Sequence, residues 1–183
     1  MMGRGSLRTA LARGSHEVAP YLMMLHLAGA DGPAALGIVR GVLAQGVDEQ
    51  EALALLADTN WRPNLVVAFA AAVGLSSPAV TDALWTALDR GSWVAPQLAV
   101  AALIADDRFL DRARARLLDP TRLDAKAAGA LLAMATVAAP GEPWVAERAA
   151  DPALTAHIAS AVDDGAALAR AWHRAVIEIV GGR

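Results

Sequence analysis

Apolar residues recur along this chain at three- and four-residue intervals, in short runs that Gly, Pro, Ser, Asp or Asn interrupts every dozen positions or so. That spacing places the apolar side chains on one face of a helix, and the interruptions are helix starts and stops. The pattern predicts helices over 16–29, 33–45, 48–58, 61–74, 78–90, 93–105, 108–118, 122–138, 144–150, 152–162 and 165–180. The clearest starts are Ser77 before Pro78, Ser92 before Trp93 and Asp151 before Pro152, each joining a capping oxygen to a first-turn residue. Gly74 and Gly91 are the matching stops. Connections this short make successive helices antiparallel neighbours. Runs of β-branched and aromatic residues alternating with period two are missing, so no sheet is expected.

The pieces also resemble one another. Leu56-Ala-Asp-Thr-Asn-Trp61-Arg-Pro63-Asn64-Leu65 aligns with Leu88-Asp-Arg-Gly-Ser-Trp93-Val-Ala-Pro96-Gln97-Leu98, with one inserted residue, and a weaker copy runs from Leu118 to Lys126. Val18-Ala-Pro20-Tyr-Leu22 returns as Val94-Ala-Pro96-Gln-Leu98. A period of about 30 residues belongs to arrays of stacked supersecondary units. These Trp/Pro starts, each followed by a small-residue apolar helix, resemble HEAT or armadillo repeats over residues 16 to 138, although that family's usual period is longer, about 40 residues. The resemblance implies an all-α fold, a short α-solenoid of antiparallel helix pairs, with an irregular helical bundle as the alternative. On this reading residues 1–15 are an N-terminal arm or short helix and residues 16–183 a single helical-repeat domain.

Composition narrows the chemistry. The chain is 56% hydrophobic but only 4% aromatic, so Ala, Leu and Val must fill a core of closely packed helices, and 183 residues suffice for one without staples. There is no cysteine, which removes disulfides, thiolate nucleophiles and cysteine-held zinc, and fits the cytoplasm. Arg4, Arg8 and Arg13 lead the chain without the apolar core of a signal peptide behind them. The longest uncharged apolar stretches, 65–75 and 127–139, are too short to span a bilayer, so no membrane insertion is expected. A net charge of −3 argues against a generally basic nucleic-acid binder. Fifteen of the sixteen cations are Arg, a bias that a GC-rich coding sequence produces as readily as function does.

Candidate chemistry is sparse. His16, His26, His157 and His173 include no i, i+4 pair, so no metal site is expected. No Gly-x-Ser-x-Gly elbow or phosphate loop supports a catalytic triad or a nucleotide site, and neither catalytic residues nor cofactors are assigned. Asp106, Asp107, Asp111, Asp119 and Asp124 read as helix caps and local pairs rather than paired carboxylates of an enzyme. Arg108, Arg112 and Arg116 form one basic stripe, continued by Arg122 and Lys126. Asn64, Gln97 and Lys126 occupy corresponding first-turn positions of three repeats and would align as a polar ladder. Trp61, Trp85 and Trp93 are packing wedges or the walls of an aromatic pocket.

The expected function is a non-enzymatic, protein- or peptide-binding module, contacting its partner through Asn64, Gln97, Arg112, Arg116 and Lys126. The alternatives are a nucleic-acid-binding protein resembling the HEAT-like DNA glycosylases, using the Arg108/Arg112/Arg116 stripe, and a helical small-molecule binder or enzyme built on Trp61, Trp85 and Trp93. The sequence does not fix the oligomeric state.

Overall fold

The computed structural model describes residues 5–12, 18–119 and 122–181. Among them the chain is all-α: a short 3-10 helix, Leu7–Ala10, precedes α1 (Pro20–His26), α2 (Asp31–Ala44), α3 (Glu49–Ala57), α4 (Trp61–Ala72), α5 (Pro78–Asp89), α6 (Ala95–Ala105), α7 (Phe109–Leu117), α8 (Ala125–Ala138), α9 (Pro143–Ala149), α10 (Pro152–Ala159) and α11 (Gly165–Gly181). No helix among the described residues is long and apolar enough to cross a membrane. The predicted elements are all present, several with shorter ends. Residues 16 and 17, the expected beginning of α1, lie outside the described set, as do Arg4 and Arg13.

Most starts follow from local capping. Asp48, Asn60, Ser77, Asp124 and Asp151 each accept a backbone N–H of the turn they open. Ser92 does not. Its hydroxyl donates to Asn64 Oδ1 at 3.1 Å instead, and α6 begins at Ala95, two residues later than the sequence predicts. Asp124 likewise moves the start of α8 to Ala125, past the predicted 122.

Three hairpins, α3/α4, α5/α6 and α7/α8, pack side by side, with α4, α6 and α8 forming one row. The two leading members of that row are apolar all round, and α4 is buried from Pro63 to Ala72 and α6 from Ala95 to Ala102. A helix without a polar face must be covered on every side. Hairpin partners cover one flank; α1 on α4, and α11 on α6 and α8, cover another. On α11 the buried positions Gly165, Ala169, Trp172 and Val176 form a single stripe at helical spacing. Trp172 meets Phe69 edge-on at 6.0 Å, and its indole N–H donates to the Met24 carbonyl at 2.8 Å, which ties α11 to α4 and α1. Gly165 permits the closest approach: a Cβ there would lie 2.1 Å from the Lys126 carbonyl oxygen.

Candidate partner-binding site

Asn64 lies in the first turn of α4 but is only 1% exposed, so it is not a surface rung. The C-terminus of α3 leaves carbonyls without helical partners, and the Asn64 amide donates to those of Leu55, Leu56 and Asp58 at 3.0, 3.4 and 3.1 Å. Arg90 adds bonds to the Leu56 and Asp58 carbonyls at 2.8 and 2.9 Å. With Oδ1 accepting from Ser92, every polar atom of Asn64 is engaged inside the fold, and what it positions is the loop leading to Trp93.

Trp93 emerges from that loop 52% exposed. Its ring lies 4.9 Å from Trp61, and Trp61 meets Tyr21 edge-on at 5.7 Å. Arg62 sits over both Tyr21 and Trp61, at 5.6 and 5.1 Å from the ring centres. On the other side Lys126 Nζ lies 4.9 Å from the Trp93 ring and 2.9 Å from Asp163. Tyr21 comes from α1, Trp61 from the first position of α4, Trp93 from just before α6 and Lys126 from the first turn of α8. The starts of the three row helices therefore lie side by side, and Tyr21, Trp61 and Trp93 make a strip of successive ring contacts with Arg62 over its first two rings and Lys126 over its last.

Two depressions flank Trp93. A cleft of about 210 Å³ is lined by Leu25, His26, Trp93, Gln97, Lys126, Asp163 and Leu168. A shallower hollow of about 340 Å³ borders Ser92, Trp93, Asp124, Lys126 and the exposed Val162. Gln97 is 6% exposed, so it too is no exposed rung; its amide reaches the Leu25 carbonyl only at 3.5 Å. Of the expected ladder, Gln97 and Lys126 meet in the cleft and Asn64 supports the loop beside it.

Trp85 does not join Trp61 and Trp93. It is 1% exposed, packs against Phe109 at 5.7 Å and donates its indole N–H to Asp106 at 2.7 Å. Asp106 also accepts from the Arg108 backbone at 2.9 Å and pairs with Arg112 at 3.2 Å. Arg112 binds Asp82 at 2.6 Å as well, and Arg116 grips Asp89 with two bonds of 2.6 and 2.8 Å while lying 4.4 Å over the Trp85 ring. Arg122 pairs with Asp119 at 3.6 Å and Arg114 stacks on Trp144 at 5.9 Å. Two members of the basic stripe, Arg112 and Arg116, thus face the acids of α5 and join two hairpins. As it stands, Arg112 and Arg116 are half-buried and neutralised, and a partner would have to displace Asp82 and Asp89 to reach them.

The histidines are scattered. His26 borders the cleft, His157 Nε2 lies 2.9 Å from the Leu123 carbonyl, burial holds His173 below the usual imidazole range, and His16 lies outside the described residues. Among the described residues no group of three or more His, Cys, Asp or Glu is placed to hold a metal ion.

Comparison with protein-family models, with curated proteins and with solved structures finds no match to this chain. Its site therefore has to be read from its own geometry. Tyr21 is the member that sequence reasoning left out. The signal was the Val18-Ala-Pro20-Tyr-Leu22 copy of the Val94-Ala-Pro96-Gln-Leu98 segment, which puts Tyr21 and Gln97 in equivalent places.

Proposed function

We propose that this protein is a short α-solenoid of HEAT-like hairpins that works as a non-enzymatic, protein- or peptide-binding module. The partner sits across the Tyr21, Trp61 and Trp93 strip. One observation carries the reading: Trp93, half exposed, is held by Trp61 on one side and Lys126 on the other, between two depressions. Large aromatic rings left in water yet fixed in place are the residues from which binding hot spots are made. The flank of the α4, α6, α8 row, where a solenoid ordinarily binds, is filled by α11, which leaves the ends of the helices as the working surface. In this reading residues 16–183 act as one domain, and Asn64 serves it by fixing the Trp93 loop.

Capture from the native host with the wild-type protein and Trp93→Ala side by side tests this, the captured species being purified and titrated back. We expect direct binding by the wild type and at least a tenfold loss in the variant. Equal retention by both proteins would remove Trp93, and this reading with it.

A further inference from the structure

The cleft beside Trp93 holds one polar atom whose requirement identifies an occupant. We infer that the cleft receives a single tryptophan side chain of the partner polypeptide, with the indole N–H donating to Gln97 Oε1. This rests on the peptide-binding reading above and names the residue type that the partner must present.

Gln97 carries the argument. It stands in the first turn of α6 and is more than nine-tenths buried. One end of its carboxamide lies 3.5 Å from the Leu25 carbonyl oxygen. A carbonyl only accepts, so that end is the amide nitrogen and the other is Oε1. Among the described residues Oε1 accepts no hydrogen bond. No enclosed side-chain N or O lacks a partner among those residues, so Oε1 is reached from the cleft that Gln97 lines. Solvent can donate to it while the cleft stands open. An occupant that displaces solvent must bring a donor of its own, or the oxygen is left buried and unsatisfied. Leucine, phenylalanine and proline side chains bring none.

Size and walls narrow the choice. The cleft holds about 210 Å³, below the roughly 300–1,000 Å³ of clefts that enclose cofactors and drug-sized molecules. It is matched to one side chain. Leu25 and Leu168 give it apolar walls, and Trp93 closes another side. Lys126 Nζ already stands 4.9 Å from the centre of that ring, so Trp93 serves as a wall and not as an open stacking platform. Serine or threonine would supply a donor but leave most of the apolar surface uncovered.

Charge and donor count decide the rest. Lys126 and Asp163 at the lip are paired at 2.9 Å. An arginine or lysine side chain would set a second cation against Lys126 and bring more N–H groups than Gln97 can receive. An ionised acid brings no donor at all. Asparagine, glutamine, neutral histidine and tyrosine each donate, but each also carries an acceptor that needs a donor in turn. Indole joins one donor to no acceptor on an otherwise apolar ring system, which is the complement of a single amide oxygen between leucines. Buried tryptophans usually find such a partner, and tryptophan is prominent among the residues that dominate binding energy.

Titration of the full chain with indole, 1-methylindole, p-cresol and the blocked tripeptide acetyl-Gly-Trp-Gly-amide tests the inference, followed by NMR at the Gln97 side-chain amide and the Trp93 indole signals. Indole and the tripeptide should shift both signals. The expected binding of 1-methylindole, which has lost the donor, and of p-cresol is weaker by about fivefold or more. In Gln97→Met, with its melting temperature checked, indole should lose its advantage over 1-methylindole; the wild-type comparison stands without that variant. Equal affinity for indole and 1-methylindole, a preference for p-cresol, or no shift with any probe would overturn this inference. The peptide-binding reading would survive those results, since capture by the wild type against Trp93→Ala decides it. Binding of free indole with the tripeptide excluded would mark a small-molecule site and overturn both.

Discussion

The side chain of Asn64 accepts the Ser92 hydroxyl at 3.1 Å, so the first turn of α4 holds the loop from which Trp93 projects. Two neighbouring hairpins are thereby joined, and a buried side chain of one holds the loop that carries the exposed Trp93 of the other. Replacing Asn64 with Ala removes the donor from three carbonyls at the end of α3. We expect a loss of about 2–3 kcal/mol in urea denaturation, the scale of an orphaned buried polar group with a small cavity beside it. Ser92→Ala should cost less, about 1 kcal/mol, yet still weaken any Trp93-dependent binding, because the loop is then free to move.

Asp106 accepts from the Trp85 indole, the Arg108 amide and Arg112. Asp106→Ala leaves a buried N–H unpaired and a half-buried guanidinium with one partner fewer, and should destabilise by about 2–4 kcal/mol. Near-unchanged melting in that variant would show that the network is not what locks α5 to α7.

Arg112 and Arg116 of α7 are held by α5, and Arg114 lies on Trp144, so duplex DNA should find little to bind. We expect no salt-sensitive association between 50 and 200 mM salt, where a protein using several phosphate contacts loses orders of magnitude in affinity. Arg112→Ala and Arg116→Ala should each lower the melting temperature. A steep salt slope abolished by those substitutions would restore the nucleic-acid reading.

Why the stripe read as a free surface is instructive. Arg112 and Arg116 are four apart on one helix, which the sequence displays directly, but Asp82 and Asp89 face them from another helix and only packing brings the four together. Asn64 and Gln97 illustrate the opposite case. Polar residues in a first turn look exposed, yet 63–72 and 95–102 are apolar on every face, and a polar residue embedded in such a helix must find a partner inside. That signal was present. The helices themselves were legible because capping and periodicity act within a few residues, whereas Trp85 parted from Trp61 and Trp93 through contacts between hairpins that no local pattern records.

Asp151 caps α10, and the N–H groups of Leu154 and Ala153, helped by Arg148, hold its carboxyl below the ordinary value of 3.8. A carboxyl depressed in the folded state stabilises fully above its unfolded value, and the contribution fades as pH falls towards the folded one. Melting of the wild type should therefore drop more steeply below about pH 4 than melting of Asp151→Asn, which keeps an acceptor but no titrating group. Parallel acid limbs would refute this.

Gly165→Ala places a methyl group against the Lys126 carbonyl oxygen, at 2.1 Å if nothing moves. The helices must separate, at about 1–3 kcal/mol, read as a fall in melting temperature. Asp163 and Leu168 flank this position, so the Trp93 cleft should widen as well.

That cleft is gathered from Leu25, Trp93, Gln97, Lys126 and Leu168, contributions from the whole length of the chain. No fragment owns it. An occupant consequently recognises the assembled molecule alone, and mass action makes it a brace for all of it, adding about 2.7 kcal/mol at a hundredfold excess over its dissociation constant. Occupancy at one end of the row would thus slow the opening of α11 far along its length, and a partner would discriminate finished molecules from unfinished ones simply by holding on.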